Sequence, residues 1–323
     1  MGKVNDYINR LISFIKNEKP ENKEKPWLKY YGDVPESLNY FNGSMYDYLK
    51  DTASKNEKRS AYSFYGNEVT FKSFMKKIDK VASALKEFNI VENECVTICM
   101  PNTPESFALI YAINKIGAIC NIIHPLSSTQ DIERALKETN SSIIFCSDVA
   151  MPKARHIKVK HFIMVPTSES LGKFLKTLYN IKSSLNMKLE DGMLTWHEFL
   201  NYGVSEDAYV KRDPNSPAAI IYSGGTTGKP KGIIISNANF NAMALQTSSV
   251  CEYISPGNSV LSALPIFHVF GLALCTHTCL VSGMKCIIVP QLNTKKINKE
   301  LKKYKPNVYP AVPSLLKMSI NNT

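Results

Sequence analysis

Long apolar runs are missing from this chain of 323 residues. No stretch of about 18 uncharged apolar residues occurs, which excludes a membrane-spanning helix. The nearest approach, Phe107 to Ile123, is interrupted by Asn114 and Lys115. The opening MGKVNDYINRLISFIKNEK mixes charge into its apolar positions and has no small-residue cleavage site, so it does not read as a secretory signal. The 8 cysteines form no C-x-x-C pair. They lie mostly in apolar stretches such as ECVTICM and KCIIV, as the reduced core thiols of a cytoplasmic protein do. Cys275, His277 and Cys279 alternate within one such stretch and read as packing, so no metal site is assigned. Internal repeats and low-complexity tracts are also lacking, which excludes solenoids, collagen and disorder.

What is present is ordinary globular composition, 44% hydrophobic and 21% charged. The length corresponds to roughly two domains. The net charge of +11 is uneven. Residues 151–190 hold eight Lys or Arg against Glu169 and Glu190, and residues 285–317 hold eight Lys against Glu300. Such patches suit nucleotide phosphates, coenzyme A, an anionic membrane surface or an acidic partner segment. They contain no nucleic-acid reader module, so no nucleic-acid partner is expected.

From about residue 60, short apolar runs alternate with segments of helical period, the pattern of parallel strands joined by crossover helices. Ala61–Tyr65 and Glu68–Thr70 flank Gly66-Asn67, a two-residue hairpin signal. Thr70 then caps a helix whose Phe71, Phe74, Ile78, Val81, Leu85 and Phe88 recur at helical spacing. Strands are expected at 95–100, 119–123 and 142–146, with helices opened by Thr103-Pro104-Glu105 and around 130–138. Residues 151–210 read as less regular surface decoration or a boundary. A second series follows, with strands at 218–222, 232–235, 259–264, 286–289 and 307–311 and helices from about 239, beyond Phe270 and over 294–304. The expected organisation is an N-terminal extension over 1–45, a first α/β lobe over 46–210 and a second over 211–323, each of mainly parallel sheet flanked by helices.

The most informative segment runs from Tyr222 to Gly232, YSGGTTGKPKG, between two apolar strands. Its glycines allow a tight turn with outward N–H groups, its Ser and Thr add hydroxyl donors, and Lys229 and Lys231 add positive charge. This is a phosphate-holding composition. It is not a Walker A loop, because three residues rather than four separate Gly224 from Gly228 and proline follows Lys229. No G-x-S-x-G elbow is present, so Ser223 is not a hydrolase nucleophile.

This segment resembles the phosphate-binding signature of the adenylate-forming enzymes, the superfamily of acyl-CoA synthetases, luciferases and peptide-synthetase adenylation domains. Leu264-Pro-Ile-Phe-His268 is similar to that family's next motif. Met100-Pro-Asn-Thr-Pro-Glu105, Lys115-Ile-Gly-Ala118 and NVYPAVPSL over 307–315 also fit its pattern. PWLKYYGDVPESLNY followed by SMYDYL is most like the long-chain fatty-acid–CoA ligase branch. The implied fold is the N-terminal domain of those enzymes.

The implied reaction has two steps. A carboxylate attacks the α-phosphorus of ATP, giving an acyl-adenylate and pyrophosphate with Mg²⁺ assistance, and the coenzyme A thiol then displaces AMP. Ser223, Gly224, Gly225, Thr226, Thr227 and Lys231 match the family's phosphate contacts; Lys229 falls at a variable position. His268 matches a histidine beside the carboxylate, so His268 and Lys231 are the candidate catalytic groups. Phe270, Gly271, Ala311, Val312 and Pro313 are candidates for the acyl pocket. The chain stops before the family's adenine-contacting segment, Tyr-Gly-x-Thr-Glu motif, ribose-binding aspartate and C-terminal domain with its catalytic lysine. A catalytically incomplete N-terminal portion is therefore expected. A ligase passing its adenylate to a carrier protein, an aryl-acid ligase and a non-catalytic acyl- or nucleotide-binding relative remain alternatives.

Two amphipathic stretches bear on location. Tyr7, Ile8, Leu11, Ile12 and Ile15 share one helical face, and Leu171, Phe174, Leu175 and Leu178 another, with Lys173, Lys176 and Lys182 nearby. Basic amphipathic helices rest on membrane surfaces. Docking on the protein's own body is the preferred reading here, with peripheral membrane contact as the second.

Overall fold

Strand-forming and helix-forming segments assemble into two sheets. The computed structural model describes residues 25, 27–183, 189–204, 208–224, 230–290 and 297–321. The amphipathic face Tyr7–Ile15 lies outside the described residues. Two units are distinguished, Met1–Leu38 and Asn39–Thr323. In the first, the described part holds a single 3-10 turn, Leu28–Tyr30.

The second unit runs α1 (Met45–Lys55), β1 (Ser60–Phe64), β2 (Asn67–Thr70), α2 (Phe71–Glu87), β3 (Cys95–Cys99), α3 (Pro104–Lys115), β4 (Ile119–Ile122), α4 (Thr129–Glu138) and β5 (Ile143–Ser147). After a helical turn at Met151–Ala154 come β6 (His161–Val165), α5 (Lys173–Ser183), β7 (Met193–Thr195), α6 (Trp196–Asn201), β8 (Pro217–Ser223), β9 (Lys231–Ser236) and α7 (Asn237–Val250). Strand β10 (Ser259–Ser262), a π-helix (Gly271–Thr278) running into Cys279–Val281, β11 (Lys285–Ile288), α8 (Ile297–Tyr304) and α9 (Pro313–Asn321) complete it.

One sheet has the order β10-β11-β1-β2 and the other β7-β6-β5-β3-β4-β8-β9. Pairing is parallel except at the hairpins β1–β2 and β8–β9. Neither sheet respects the lobe boundary expected at 210. β1 and β2 join strands from beyond residue 258, and β8 and β9 extend the sheet begun by β3.

Several expectations shift on inspection. The β1–β2 turn is Tyr65-Gly66, with φ of 49° and 89°, rather than Gly66-Asn67. Asn67 pairs with Phe64, a register that keeps Tyr62 and Phe64 inward and fully buried. Residues 151–210 are no mere decoration, because β6 and β7 both pair in parallel within the larger sheet. HFIMV hides this by being apolar at consecutive positions, and β7 by being only 3 residues long. The strand expected at 307–311 is a single bridge, Val260 to Val308.

One hydrophobic cluster runs from sheet to sheet through α1, α2, α3, α7 and the π-helix. Every residue of α3 is buried, so the stretch nearest in character to a membrane span is an interior helix. Its two charged side chains are each ion-paired, Lys115 with Asp79 at 2.7 Å and Glu105, through Oε1, with Lys77 at 3.3 Å.

Behind α3 lies a buried polar network. Asn114 Oδ1 accepts from the Tyr46 amide at 2.8 Å, and its Nδ2 donates to Asn237 Oδ1. Asn241 Nδ2 donates to the Gly43 carbonyl, so its Oδ1 accepts and His277 Nε2, 2.9 Å away, carries the proton. His277 Nδ1 then accepts from the Tyr111 hydroxyl at 3.0 Å. The alternating Cys275, His277 and Cys279 are core groups, and among the described residues no three His, Cys, Asp or Glu are grouped to hold a metal. Burial pushes the His277 pKa down to about 3.

Because the folded state keeps His277 neutral while the unfolded chain protonates it near its ordinary value, stability is complete above about pH 6.5 and falls as pH drops toward 3. At about pH 5 this group alone costs about 2 kcal/mol. Urea unfolding of His277→Gln, whose amide reaches the same partners, should show a shallower acid slope than wild type. An identical slope in the two proteins would remove His277 as the cause.

Candidate functional site

The carboxyl ends of β4 and β8, paired in parallel, open onto a cavity of about 180 Å³. Its walls include Tyr222, Ser223, Gly224, Pro230, His124, Arg134, Phe267 and His268. Ligands in open α/β sheets bind at this end of the strands.

The cavity is framed first by the β8–β9 hairpin, in which Ser223 pairs with Lys231 and Tyr222 with Gly232. Ser223, Gly224 and Lys231 thus stand at the two feet of the loop. Gly225, Thr226 and Thr227 lie outside the described residues. Gly232 is required by the pairing: a Cβ there would meet Ile220 Cγ2 at 2.9 Å and the Tyr222 ring at 3.5 Å. Tyr222 donates to Asn121 Oδ1 at 3.0 Å, and Asn121 in turn donates to Thr97 and Thr139. Burial, then the nearby Glu138 charge, pushes the Tyr222 hydroxyl up to about 12, so it remains a neutral donor.

His268 enters from the other sheet. After β10 the chain is captured by Asn102, 2% exposed, at the start of α3. Asn102 Nδ2 donates to the carbonyls of Leu264 at 2.9 Å and Ser262 at 3.3 Å, and its Oδ1 accepts from the Ile266 amide at 2.9 Å. The chain then turns, His268 N–H donating to the Pro265 carbonyl, and delivers His268 to the cavity. Gly271 is obligatory in this turn, since a Cβ would lie 2.1 Å from the Pro265 oxygen.

Opposite sits His124, whose ring lies 4.2 Å from that of Phe267, with the His268 ring tilted against Phe267 at 5.0 Å. His124 Nδ1 accepts from the Leu126 amide at 2.9 Å, which leaves Nε2 as the protonated donor. Partial burial and then the His268 charge lower the His124 pKa, so it is neutral near pH 7. Arg134 Nη2 is held by Asp131 at 2.8 Å, and Asp131 by the Ser128 cap at 2.6 Å. Arg134 and the His124 N–H thus line the cavity as donors, with the Asp131 carboxylate beside Arg134, while Lys231, at the loop foot, is not among the lining residues.

Of the sequence-derived candidates, Ser223, Gly224 and His268 share this cavity. Phe270, Gly271, Ala311, Val312 and Pro313 do not line it. Val312 is 38% exposed, Ala311 packs on the main core and Pro313 opens α9. His124 and Arg134 were not singled out by sequence. A signal for His124 was available in HPLSS following an apolar strand, at the loop position where α/β sheets place ligand contacts.

The fold is that of the N-terminal domain of adenylate-forming enzymes. It superposes with a TM-score of 0.73 on the anthranilate CoA ligase AuaEII, at 18% identity and covering 87% of this chain and 52% of that one. The TM-score is 0.72 on a long-chain-fatty-acid-CoA ligase from Archaeoglobus fulgidus, at 23% identity over 88% of this chain and 55% of that one. The AMP-binding enzyme family matches residues 49–323, and the chain belongs to that family. Curated relatives include long-chain-fatty-acid–CoA ligases from Bacillus subtilis, 27% identical over 90% of this chain and 54% of its own length, and Haemophilus influenzae, 26% identical over 93% and 56%. The chain spans about half the length of these relatives.

Asn102→Ala should strand the Leu264 carbonyl and the Ile266 amide in the interior, the Ser262 carbonyl keeping the Val289 amide as its donor, at a cost of about 2–4 kcal/mol. Urea denaturation tests this; a loss under about 1 kcal/mol would mean that Asn102 does not hold the two segments together.

Proposed function

We propose that this chain forms the nucleotide- and acyl-binding part of an ATP-dependent acyl-CoA ligase whose acid is a long-chain fatty acid. The observation that carries the reading is the cavity shared by the foot of the phosphate loop, Ser223 and Gly224, and by His268. Motifs from two different sheets converge there on a donor-rich pocket. The names of the curated relatives supply the substrate class.

In this reading the amides and hydroxyls of residues 223–227 and the Lys231 ammonium hold the triphosphate of ATP. His268 orients the fatty-acid carboxylate toward the α-phosphorus. An oxygen of that carboxylate forms the new bond, and pyrophosphate leaves with the electron pair of the broken P–O bond. The thiolate of coenzyme A then attacks the acyl carbonyl and AMP departs. The protein's contribution to the first step is alignment and charge stabilisation. His124, with its fixed Nε2–H, and Arg134 add donors on the wall facing the loop. The described residues offer isolated carboxylates such as Asp131 rather than a cation cage. That fits Mg²⁺, which binds largely through phosphate oxygens and adds charge neutralisation when present. The acyl chain runs beyond His268 along Phe270, Gly271 and the 311–313 segment. The 323 residues alone are proposed to be catalytically incompetent.

Binding of a fluorescent ATP analogue to the chain tests the loop assignment. Lys231→Ala should weaken it about tenfold or more, the effect of removing one charge-assisted contact. His268→Ala should leave nucleotide affinity within about twofold while weakening an acyl-adenylate analogue about tenfold. Unchanged nucleotide affinity in Lys231→Ala would overturn the reading.

A further inference from the structure

The lysine-rich segments at 151–190 and 285–317 are far apart in the chain, yet both reach one exposed tyrosine. Tyr65, at the tip of the β1–β2 hairpin, is 50% exposed and holds a φ of 49°, a conformation that disfavours aromatic residues. It lies within electrostatic reach of Tyr304, Glu300 and Lys303 on α8 and of Tyr179 on α5.

Helix α8 docks as amphipathic patterning predicts, and α5 does not. On α8, Ile297 is buried and Leu301 and Tyr304 pack inward, leaving Lys299, Lys302 and Lys303 exposed, with Lys305 just beyond. On α5, the inner side is fixed by polar contacts. Tyr179 donates to Asp148 Oδ2 at 2.6 Å, Lys176 pairs with Glu169 at 2.9 Å, and Leu171, just before the helix, rests on the core. Phe174, Leu175 and Leu178 therefore point to solvent, at 76%, 40% and 50% exposure. The expectation that this apolar face docks on the protein's own body is thus not met.

From this juxtaposition we infer that α5, the Tyr65 hairpin tip and α8 form a docking surface for an anionic lipid bilayer. An exposed helical ridge of Phe and Leu beside exposed lysines matches the headgroup boundary. The apolar tips enter the acyl region while lysines meet phosphate charge, each contributing modestly and additively. The excess of positive charge in both segments gives the complementarity. The inference does not depend on the ligase reading, because lipid binding requires neither ATP nor an acyl acceptor.

Co-sedimentation of the chain with vesicles of phosphatidylcholine and phosphatidylglycerol, against phosphatidylcholine alone, tests it. The anionic vesicles should bind at least about tenfold more protein at low salt, with the difference lost as salt rises. The double variant Phe174→Glu, Leu178→Glu and, separately, Lys302→Glu, Lys303→Glu should each cut partitioning about tenfold with unchanged melting curves, as expected for exposed positions. Failure of the wild-type chain to sediment with anionic vesicles would overturn the inference. So would sedimentation that neither variant reduces, or direct binding of an acidic peptide by a chain that binds no vesicles, which would assign the surface to a protein partner.

Discussion

A single carboxamide joins the two halves of the site. The loop that leaves β3 belongs to the seven-stranded sheet, the segment that leaves β10 to the four-stranded one, and Asn102 satisfies three backbone groups across that divide. Buried carbonyls and amides cannot be left unpaired without a cost of several kcal/mol in sum, so the segment carrying His268 has one favourable path. The proline and threonine around Asn102 serve the same end. Thr103 closes a capping box with Ser106 and Pro104 occupies the first turn, so α3 begins at a fixed point relative to Asn102.

The interior is unusually polar for a helix so deeply placed, and the polarity is directional. Asn114, Asn237, Asn241 and His277 each use both ends of their side chains: the asparagines bind backbone groups at Met45, Tyr46, Ser216 and Gly43, and His277 bridges the Tyr111 hydroxyl and Asn241. Replacing any one leaves partners stranded in a low-dielectric region, whereas an apolar core would tolerate sliding. The network therefore sets how α1, α3, α7 and the π-helix are registered against one another.

Much of this was legible in the residues. The heptad-like spacing of Phe71 to Leu85 and the cap at Thr70 gave α2 outright, because amphipathic period and capping chemistry are local. The loop at 222–232 stands out in the sequence as a candidate phosphate holder because glycine, hydroxyl and lysine occur together there. What escaped notice was non-local. Strand β7 is too short to have a period, and HFIMV is apolar on both faces because both faces are covered. The hairpin turn moved by one residue because the register of Phe64 with Asn67 outweighed the usual preference for Asn at the turn. Arg134 escaped because nothing in its own neighbourhood announces that β4 and β8 lie side by side.

Strand β9 ends its sheet, and Ile233 and Ile234 are 48% and 65% exposed on its opposite faces. Among the described residues the ladder is thus paired on one flank only, with an open row of amides and carbonyls on the other. Since Lys231 opens this strand, whatever peptide completes the row also stiffens the base from which the glycine-rich loop is suspended. A strand edge of this kind pairs readily with a further strand, and a row left open invites a second copy of the same chain.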